Sequence, residues 1–164
     1  SPWLVLSEGL SIITGLSVGG TTFIISLIVL FLWIFLKQKP GIGTILNVFI
    51  IAIVIDVTSF FFDPPSSIYH QYLLTIVAVL LVGFGSGIYL VANLGPGPRD
   101  GLMTGLTRIT NYPISFIRAS LEITVVFAGW CLGGTVGLGT LIFAFGIGPA
   151  VSLGLFIVKN HMSK

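Results

Sequence analysis

Two charged residues inside one apolar stretch are the side chains of this sequence best suited to chemistry. Arg118 and Glu122 are four residues apart, so a helix places them on the same face. A charge within a bilayer costs at least ~2.5–3.5 kcal/mol, so each needs a reason to be there. One interpretation is a structural ion pair that fastens helices, with Arg118 reaching partly towards the interface. The other is that Arg118 binds an anionic group while Glu122 balances its charge or exchanges a proton.

A second charged pair opens a short segment of its own. Arg99 and Asp100 directly follow Pro98, and a proline in the first turn with an acidic residue beside it is typical of a helix amino terminus. One interpretation is a capped cytoplasmic helix whose arginine meets lipid headgroups. The alternative is a gate for a substrate or ion at the positive end of a half-helix.

A third candidate is a carboxylate in a different apolar stretch. Asp56 lies nine residues after Asn47. A carboxylate at that depth is expected to be protonated or to pair with a cation such as Arg118, so proton coupling and structural pairing both stay open. The substrate-binding residues predicted from the sequence are therefore Arg118, Glu122, Arg99, Asp100, Asp56 and Asn47.

The composition indicates which solvent surrounds these residues. Hydrophobic residues make up 55% of 164 and charged residues 7%, and the mean hydropathy is +1.11. A soluble domain carries roughly 25% charged residues, so a lipid bilayer is the expected partner. The net charge of +2, with basic residues at span ends, argues against nucleic acid. With no nucleophile triad, metal cluster or phosphate loop, the sequence predicts no enzyme, no cofactor and no metal site.

Five apolar stretches are long enough to cross a bilayer, which takes about 20 residues. Helices are expected, because isolated strands cannot satisfy their backbone groups in lipid. Proline and glycine separate the stretches. The five predicted spans are Ser17–Leu36, Thr44–Phe62, Tyr72–Leu94, Ile114–Leu132 and Leu138–Val158.

An internal duplication relates the two halves of the chain. A register of 96 residues aligns Ser1–Ile68 with Gly97–Lys164 without a gap. Several identities are glycine, proline or threonine, which an apolar composition alone would not align. They include Pro2/Pro98, Gly9/Gly105, Thr14/Thr110, Gly41/Gly137, Gly43/Gly139 and Thr44/Thr140.

The charges do not follow this duplication. Arg118 and Glu122 correspond to Thr22 and Ser26, so the charged pair belongs to one half only. Arg99 and Asp100 likewise correspond to the apolar residues at positions 3 and 4. The second half is therefore the one better equipped for ionic contacts.

The duplication also predicts the architecture. Tyr72–Leu94 precedes the second copy and has no counterpart ahead of Ser1, so we expect a further transmembrane helix upstream in the intact protein. Residues 1–164 then form one membrane domain, with a first repeat at 1–68 that lacks its first span and a second at 69–164. Three spans per repeat is an odd number, so the copies have opposite orientation. The expectation is an all-α polytopic membrane protein with a 3+3 inverted repeat.

Two segments in this scheme are too short to span and too apolar for ordinary loops. They are Pro2–Ile13 and Pro98–Ile109, and we expect them to form half-helices that approach from opposite faces. Inverted repeats with broken helices near the midplane are typical of secondary transporters.

The basic residues predict the orientation. With five alternating helices, the segments that contain Lys37, Arg99 and Lys164 fall on one face, and the segments on the other face hold no lysine or arginine. Since basic loops stay in the cytoplasm, these three residues are expected on the cytoplasmic side of an inner membrane.

The sequence resembles the YczE/YitT-type family of bacterial multispan membrane proteins. The resemblance rests on three blocks and covers most of the chain, although Leu4 stands where the family often has an aspartate. It implies an integral inner-membrane protein and brings no established substrate or catalytic residue. The blocks are Ser1-Pro2-Trp3 with Thr14-Gly15-Leu16-Ser17-Val18-Gly19, then Pro40-Gly41-Ile42-Gly43-Thr44 with Asn47 and Asp56, then Gly97-Pro98-Arg99-Asp100-Gly101-Leu102-Met103.

Two functions are open at this point. The first is a small secondary transporter or permeation protein for a small solute, of which an anion is one kind. Arg118 would bind the solute, Asp56 or Glu122 would handle protons, and Arg99 with Asp100 would line the inner entrance. The rival is a non-transporting scaffold or accessory subunit that stabilises a membrane partner. A homodimer through the glycine-lined third span is a further option.

Overall fold

The computed structural model describes residues 1–63, 65–92 and 94–162, and this part of the chain forms α-helices with no strand. The all-α class is therefore confirmed for these residues. The helices are α1 Pro2–Thr14, α2 Val18–Phe35, α3 Ile42–Phe61, α4 Ile68–Ala92, α5 Pro98–Thr110, α6 Ile114–Cys131 and α7 Leu138–Met162.

Among the described residues, four helices are long and apolar enough to cross a bilayer. Their outward side chains are large and apolar, as lipid requires. Helix α6 forms where the sequence predicts a span, and its crossing of the membrane stays a prediction. The four segments are Val18–Phe35, Ile42–Phe61, Ile68–Tyr89 and Leu138–Val158.

The two half-helices form as predicted and end one residue later than expected. Helices α1 and α5 each have 13 residues, which is about 20 Å of helix and too short to cross a core of about 30 Å. Both begin at a proline, Pro2 and Pro98, whose fixed φ suits a first turn. Helix α5 is followed by its capping residue Asn111, which adopts the left-handed conformation common after a helix.

Helices α4 and α7 pack on each other through small residues. A Cβ at Gly83 would come within 2.5 Å of the Ala150 Cβ, and one at Gly154 within 2.6 Å of the Gly83 carbonyl oxygen. Such backbone proximity is how transmembrane helices gain van der Waals contact without a hydrophobic driving force. Gly83 of the third predicted span therefore serves helix packing, as its sequence context indicates.

The other five described helices, α1, α2, α3, α5 and α6, form a second group. Helix α1 packs against α6 and α2, and α5 packs against α2 and α6 and touches α3. Their shared core contains the buried residues Trp3, Ile25, Val29, Trp33, Leu36, Leu102 and Val125.

The offset of 96 residues recurs in the helix bounds. Helices α1 and α5 coincide at both ends in this register, as do α2 and α6, and α3 and α7 begin at equivalent residues. The turn after α2 matches the turn after α6, since Leu36 (φ −84°, ψ 0°) and Leu132 (φ −85°, ψ 1°) share one conformation. The next residues, Lys37 and Gly133, both have positive φ. The two copies thus share local structure as well as sequence.

Within the five-helix group, the half-helix of each copy contacts the long helix of the other copy. A Cβ at Gly9 of α1 would lie 2.8 Å from the Leu132 Cβ, and one at Gly105 of α5 would lie 3.1 Å from the Leu36 Cβ. Gly9 corresponds to Gly105 and Leu132 corresponds to Leu36, so each half-helix meets the end of the long helix that belongs to the other copy.

Polar side chains strengthen these crossed contacts. Arg108 on α5 donates to the carbonyl oxygen of Leu36 at 2.6 Å, where α2 ends with unpaired carbonyls. Glu8 on α1 accepts hydrogen bonds from Thr135, from its backbone N–H at 2.9 Å and from its hydroxyl. Each half-helix is thus bonded to the chain that follows the other copy's long helix.

Candidate functional site

Four ionisable side chains of the five-helix group surround one small cavity of about 20 Å³. This charged cluster consists of Arg99 and Asp100 from α5 and Arg118 and Glu122 from α6. The complete lining is Trp3, Arg99, Asp100, Met103, Arg118, Leu121 and Glu122.

The start of α5 is fixed next to α2. The Trp33 indole Nε1 donates to the carbonyl oxygen of Pro98 at 3.0 Å, and the Trp33 ring packs directly on Gly101. Since Trp33 is 1% exposed, this contact sets the position of the first turn of α5. Arg99 and Asp100 lie in that turn and line the cavity.

Helix α6 contributes one positive and one negative side chain, both on the same face. Arg118 and Glu122 are one turn apart, and Glu122 is only 8% exposed although it carries a carboxylate. Arg118 attracts both carboxylates of the cluster, Glu122 and Asp100. Two guanidinium groups and two carboxylates make the cluster formally neutral.

Arg99 lies over the ring of Trp3, with the guanidinium carbon 5.0 Å from the ring centroid. This is the geometry of a cation–π interaction. Trp3 and Arg99 are equivalent positions in the 96-residue register, and each is the second residue of its half-helix. The contact therefore joins side chains from the first turns of α1 and α5 beside the charged cluster.

The four charged side chains share no direct hydrogen bond or ion pair within the described part of the chain. Arg118 Nε and Glu122 Oε2 are buried and lack a hydrogen-bond partner there. A buried polar group without a partner is costly, and native proteins keep few of them. The interpretation of Arg118 and Glu122 as a directly bonded ion pair is thus not what the geometry gives.

The equivalent positions of the first copy look different. Thr22, which corresponds to Arg118, donates to the carbonyl oxygen of Val18 at 2.8 Å and lies 2.9 Å from the Ser7 hydroxyl oxygen. Ser26, which corresponds to Glu122, donates to the carbonyl oxygen of Thr22 at 2.8 Å. Ser7 and Thr22 are fully buried. One copy fills this location with bonded hydroxyls, and the other fills it with charges that have no bonded partner.

The structure places Asp56 outside the charged cluster. Its carboxylate accepts a hydrogen bond from the Ser17 hydroxyl at 2.6 Å and another from the Gly19 backbone N–H at 2.7 Å. Asp56 thus caps the amino terminus of α2 from α3, where the helix dipole favours a negative charge. The Asp56 carboxylate is thus satisfied by Ser17 and Gly19 at the start of α2, and not by Arg118, which the sequence offered as one of two alternatives.

Asn47 also lies outside the cavity, next to the start of α5. Its Oδ1 would be 3.2 Å from a Cβ at Gly97, so Asn47 packs against the residue that caps α5. One turn earlier on α3, the Thr44 hydroxyl donates to the carbonyl oxygen of Pro96 at 2.7 Å. These α3 side chains position the start of α5 and do not line the cavity.

Sequence reasoning missed the walls of the cavity and the hydroxyl network. Trp3, Met103 and Leu121 are apolar residues in an apolar chain, so nothing in their types distinguishes them. For Trp3 the one available signal was its alignment with Arg99, which the sequence shows only as an apolar residue at the position of a charged one. Of the predicted site residues, Arg118, Glu122, Arg99 and Asp100 come together, whereas Asp56 and Asn47 do not join them.

Comparison with known proteins gives relatives without an established activity. The sequence profile of a family described as "Family of unknown function (DUF6198)" matches residues 1–155. A Haemophilus influenzae protein named only as uncharacterised is 42% identical over 160 residues, which is 98% of this chain and 73% of the relative.

Two further relatives come from Bacillus subtilis. The uncharacterised membrane protein YczE is 37% identical over 145 residues, 88% of this chain and 67% of its own length. The uncharacterised protein YyaS is 29% identical over 167 residues, 98% of this chain and 82% of its own length. No solved structure matches the chain.

Proposed function

We propose that this chain, which belongs to the DUF6198 family and is a YczE-type bacterial membrane protein, is a secondary transporter or permeation protein for a small solute. The observation that carries the proposal is the set of four charged side chains around one cavity, in which Arg118 Nε and Glu122 Oε2 are buried without a hydrogen-bond partner in the described part of the chain. Intramembrane ionisable groups are expensive and mark substrate or ion pathways. A purely structural cluster would instead be expected to pair its own charges.

The proposed roles follow from where each side chain lies. Arg118 donates hydrogen bonds to the acceptor end of the solute. In an anionic solute, this end is the anionic group. Glu122 balances that contact or exchanges a proton, and Arg99 with Asp100 forms the approach at the positive end of α5. Asp56 has no part in this scheme, because it caps α2.

The proposed architecture is the 3+3 inverted repeat, with Lys37, Arg99 and Lys164 towards the cytoplasm of an inner membrane. What supports it is the shared helix bounds of the two copies and the crossed contacts of α1 with α6 and α5 with α2. Lys164 lies outside the described residues. Inverted repeats rock about a site near the midplane, so the charged cluster is where alternating access would act.

In this architecture a further helix packs against α3. It covers the face of α3 that is equivalent, in the 96-residue register, to the side of α7 that contacts α4. Gly146, Ala150 and Gly154 of α7 correspond to Ile50, Val54 and Thr58 of α3. Ile50 and Val54 are each 54% exposed, and Thr58 is exposed too. The occupant is the span predicted upstream of Ser1.

A disulfide crosslink tests this assignment in the intact protein. Gly83, which contacts Ala150, lies 97 − 83 = 14 residues before Gly97, so its counterpart lies 14 residues before Ser1. With Cys131→Ser as background, Val54→Cys and a cysteine at that upstream position are expected to crosslink within one chain. Phe31→Cys on α2 is the control, and a crosslink from Phe31 in place of Val54 would contradict the inverted repeat.

The transport proposal is tested by solute flux into proteoliposomes that contain the full-length protein. A panel of small metabolites and anions is screened for uptake, and any active solute is repeated with Arg118→Ala. Uptake is expected to fall to the level of empty vesicles, because the variant lacks the proposed contact with the solute. Arg108→Ala removes an arginine outside the cluster and is expected to keep uptake. If Arg118→Ala transports like wild type, the assignment is wrong.

The scaffold proposal predicts a different set of results. A protein that only stabilises a membrane partner gives no flux with any solute, and its variants change the abundance of the partner instead. Isolation of the full-length protein from its native membrane, followed by mass spectrometry, would identify such a partner. A homodimer is tested in the same preparation by crosslinking through Ser86→Cys.

A further inference from the structure

We propose that the charged cluster selects a solute that is neutral overall and carries a hydrogen-bond acceptor at one end and a donor at the other, as a small zwitterion does. The inference rests on the proposed function, since it names the substrate class of the same site. The sequence predicts a small solute, of which an anion is one kind. The inference narrows this class to solutes with an acceptor at one end and a donor at the other.

The site is formally neutral. Arg99 and Arg118 carry two positive charges, and Asp100 and Glu122 carry two negative ones. A solute with net charge would leave the cluster with an uncompensated charge in surroundings of low dielectric constant, where charges interact strongly. A neutral solute with separated charges keeps the balance and still gains from both signs.

The second argument is the set of groups without partners. Arg118 Nε is a buried donor without an acceptor, and Glu122 Oε2 is a buried acceptor without a donor. Glu122 is more than nine-tenths buried, and both groups line the same cavity. An anion without an O–H or N–H group, such as acetate, can accept from Arg118 but cannot donate to Glu122, and a cation without an acceptor, such as methylammonium, has the reverse defect. A solute with one acceptor and one donor satisfies both groups.

The third argument is the comparison between the two copies. At the positions equivalent to Arg118 and Glu122, the first copy has Thr22 and Ser26, whose hydroxyls each donate within their own helix. The same backbone positions can therefore be satisfied internally. In the second copy the side chains are longer and charged, and Arg118 Nε and Glu122 Oε2 have no hydrogen-bond partner among the described residues, so a bound solute can bond to both.

The cavity also limits the size of the solute. A volume of about 20 Å³ has room for roughly one water molecule. Binding a zwitterion requires the apolar wall to move, and that wall consists of Trp3, Met103 and Leu121. Methionine and leucine side chains rearrange readily, whereas Trp3 is held by Arg99. Small solutes such as glycine need the least displacement.

The test compares four small probes on the purified full-length protein. Glycine and β-alanine carry both charges, acetate carries only the negative charge, and methylammonium carries only the positive one. Binding is measured by thermal shift and confirmed by calorimetry. Wild type is expected to bind a zwitterion about tenfold or more tighter than either singly charged probe, because each of those leaves one buried group unpaired.

Two substitutions that each remove one charge make the test independent of which zwitterion fits best. Glu122→Gln gives the site a net positive charge, so its preference is expected to move towards acetate. Arg118→Gln gives it a net negative charge, so its preference is expected to move towards methylammonium. Arg108→Gln lies outside the cluster and is the control, with the selectivity of wild type.

Three results would overturn the inference. They are acetate binding to wild type as well as glycine does, unchanged preferences in both charge variants, and silence from all four probes. Flux separates this inference from the proposed function. A zwitterion that binds but does not cross the membrane would reject transport and keep the inference. Uptake of acetate in preference to glycine would reject the inference and keep transport.

Discussion

Gly101→Ala is expected to unfold the five-helix group under conditions where the wild-type protein is stable. A Cβ at this position would overlap the Trp33 ring, whose Cε2 atom would be 2.6 Å away. Trp33 is 1% exposed and is held by its bond to Pro98, so it has no free space to enter. Overpacking costs about 1–3 kcal/mol, and losing the indole bond adds about 1–3 kcal/mol.

The measurement is thermal or detergent unfolding of the purified protein, followed by the loss of helical signal. Gly85→Ala is a matched control, because nothing lies within 4 Å of a Cβ there and alanine favours the helix. A second variant combines Gly101→Ala with Trp33→Phe, which removes part of the ring and is expected to recover some of the lost stability. Wild-type stability in Gly101→Ala alone would mean that α5 does not pack on Trp33 as described.

The same position shows why the half-helices could be predicted from the sequence while their packing could not. Pro2 and Pro98 mark where α1 and α5 begin, and the duplicated register predicts equal lengths, which the structure has. These signals are local, since they depend on backbone φ and on nearby glycines. The contact of Gly101 with Trp33 joins residues 68 positions apart (101 − 33), and no local pattern specifies such a pair.

Asp56 illustrates the same limit for the candidate site. Its burial depth could be estimated from its place in an apolar span, but the choice of partner depends on which group is near in three dimensions. The sequence offered Arg118, whereas the fold brings Ser17 and Gly19 instead. A carboxylate can be satisfied by helix amides as well as by a cation. Sequence reasoning weighed only the cation or a proton.

Arg118 and Glu122 were found because their cost in lipid singles them out without knowledge of the fold, and Arg99 and Asp100 because they follow Pro98 at the start of a short helix. Their grouping follows from two local facts, the first turn of α5 and the i, i+4 spacing on α6. The 96-residue register already aligns Thr22 and Ser26 with Arg118 and Glu122. Only the structure shows that both hydroxyls donate within their own helix.

Arg118→Ala is expected to be less stable than wild type. The double apolar variant Arg118→Met with Glu122→Met is expected to be as stable as wild type or more stable. The single change leaves Glu122 buried with less compensating charge, and breaking a buried charge arrangement costs about 3–5 kcal/mol. The double change removes both charges and fills their space with flexible apolar side chains. Such replacements are often neutral or stabilising by about 1–4 kcal/mol. Unfolding of both variants in the same detergent measures the difference.

This double variant separates the two proposed functions, which the single variant cannot do. If the cluster exists to bind a solute, the double variant is stable and folded but has no flux and no response to any solute. If the charges only fasten helices in a scaffold, a stable apolar replacement still supports the partner. Glu122→Met alone is the matched control, and it is expected to be destabilised because Arg118 is then the buried charge with less compensation. Should the double variant be less stable than Arg118→Ala, the two charges stabilise the fold directly and the argument from their missing partners fails.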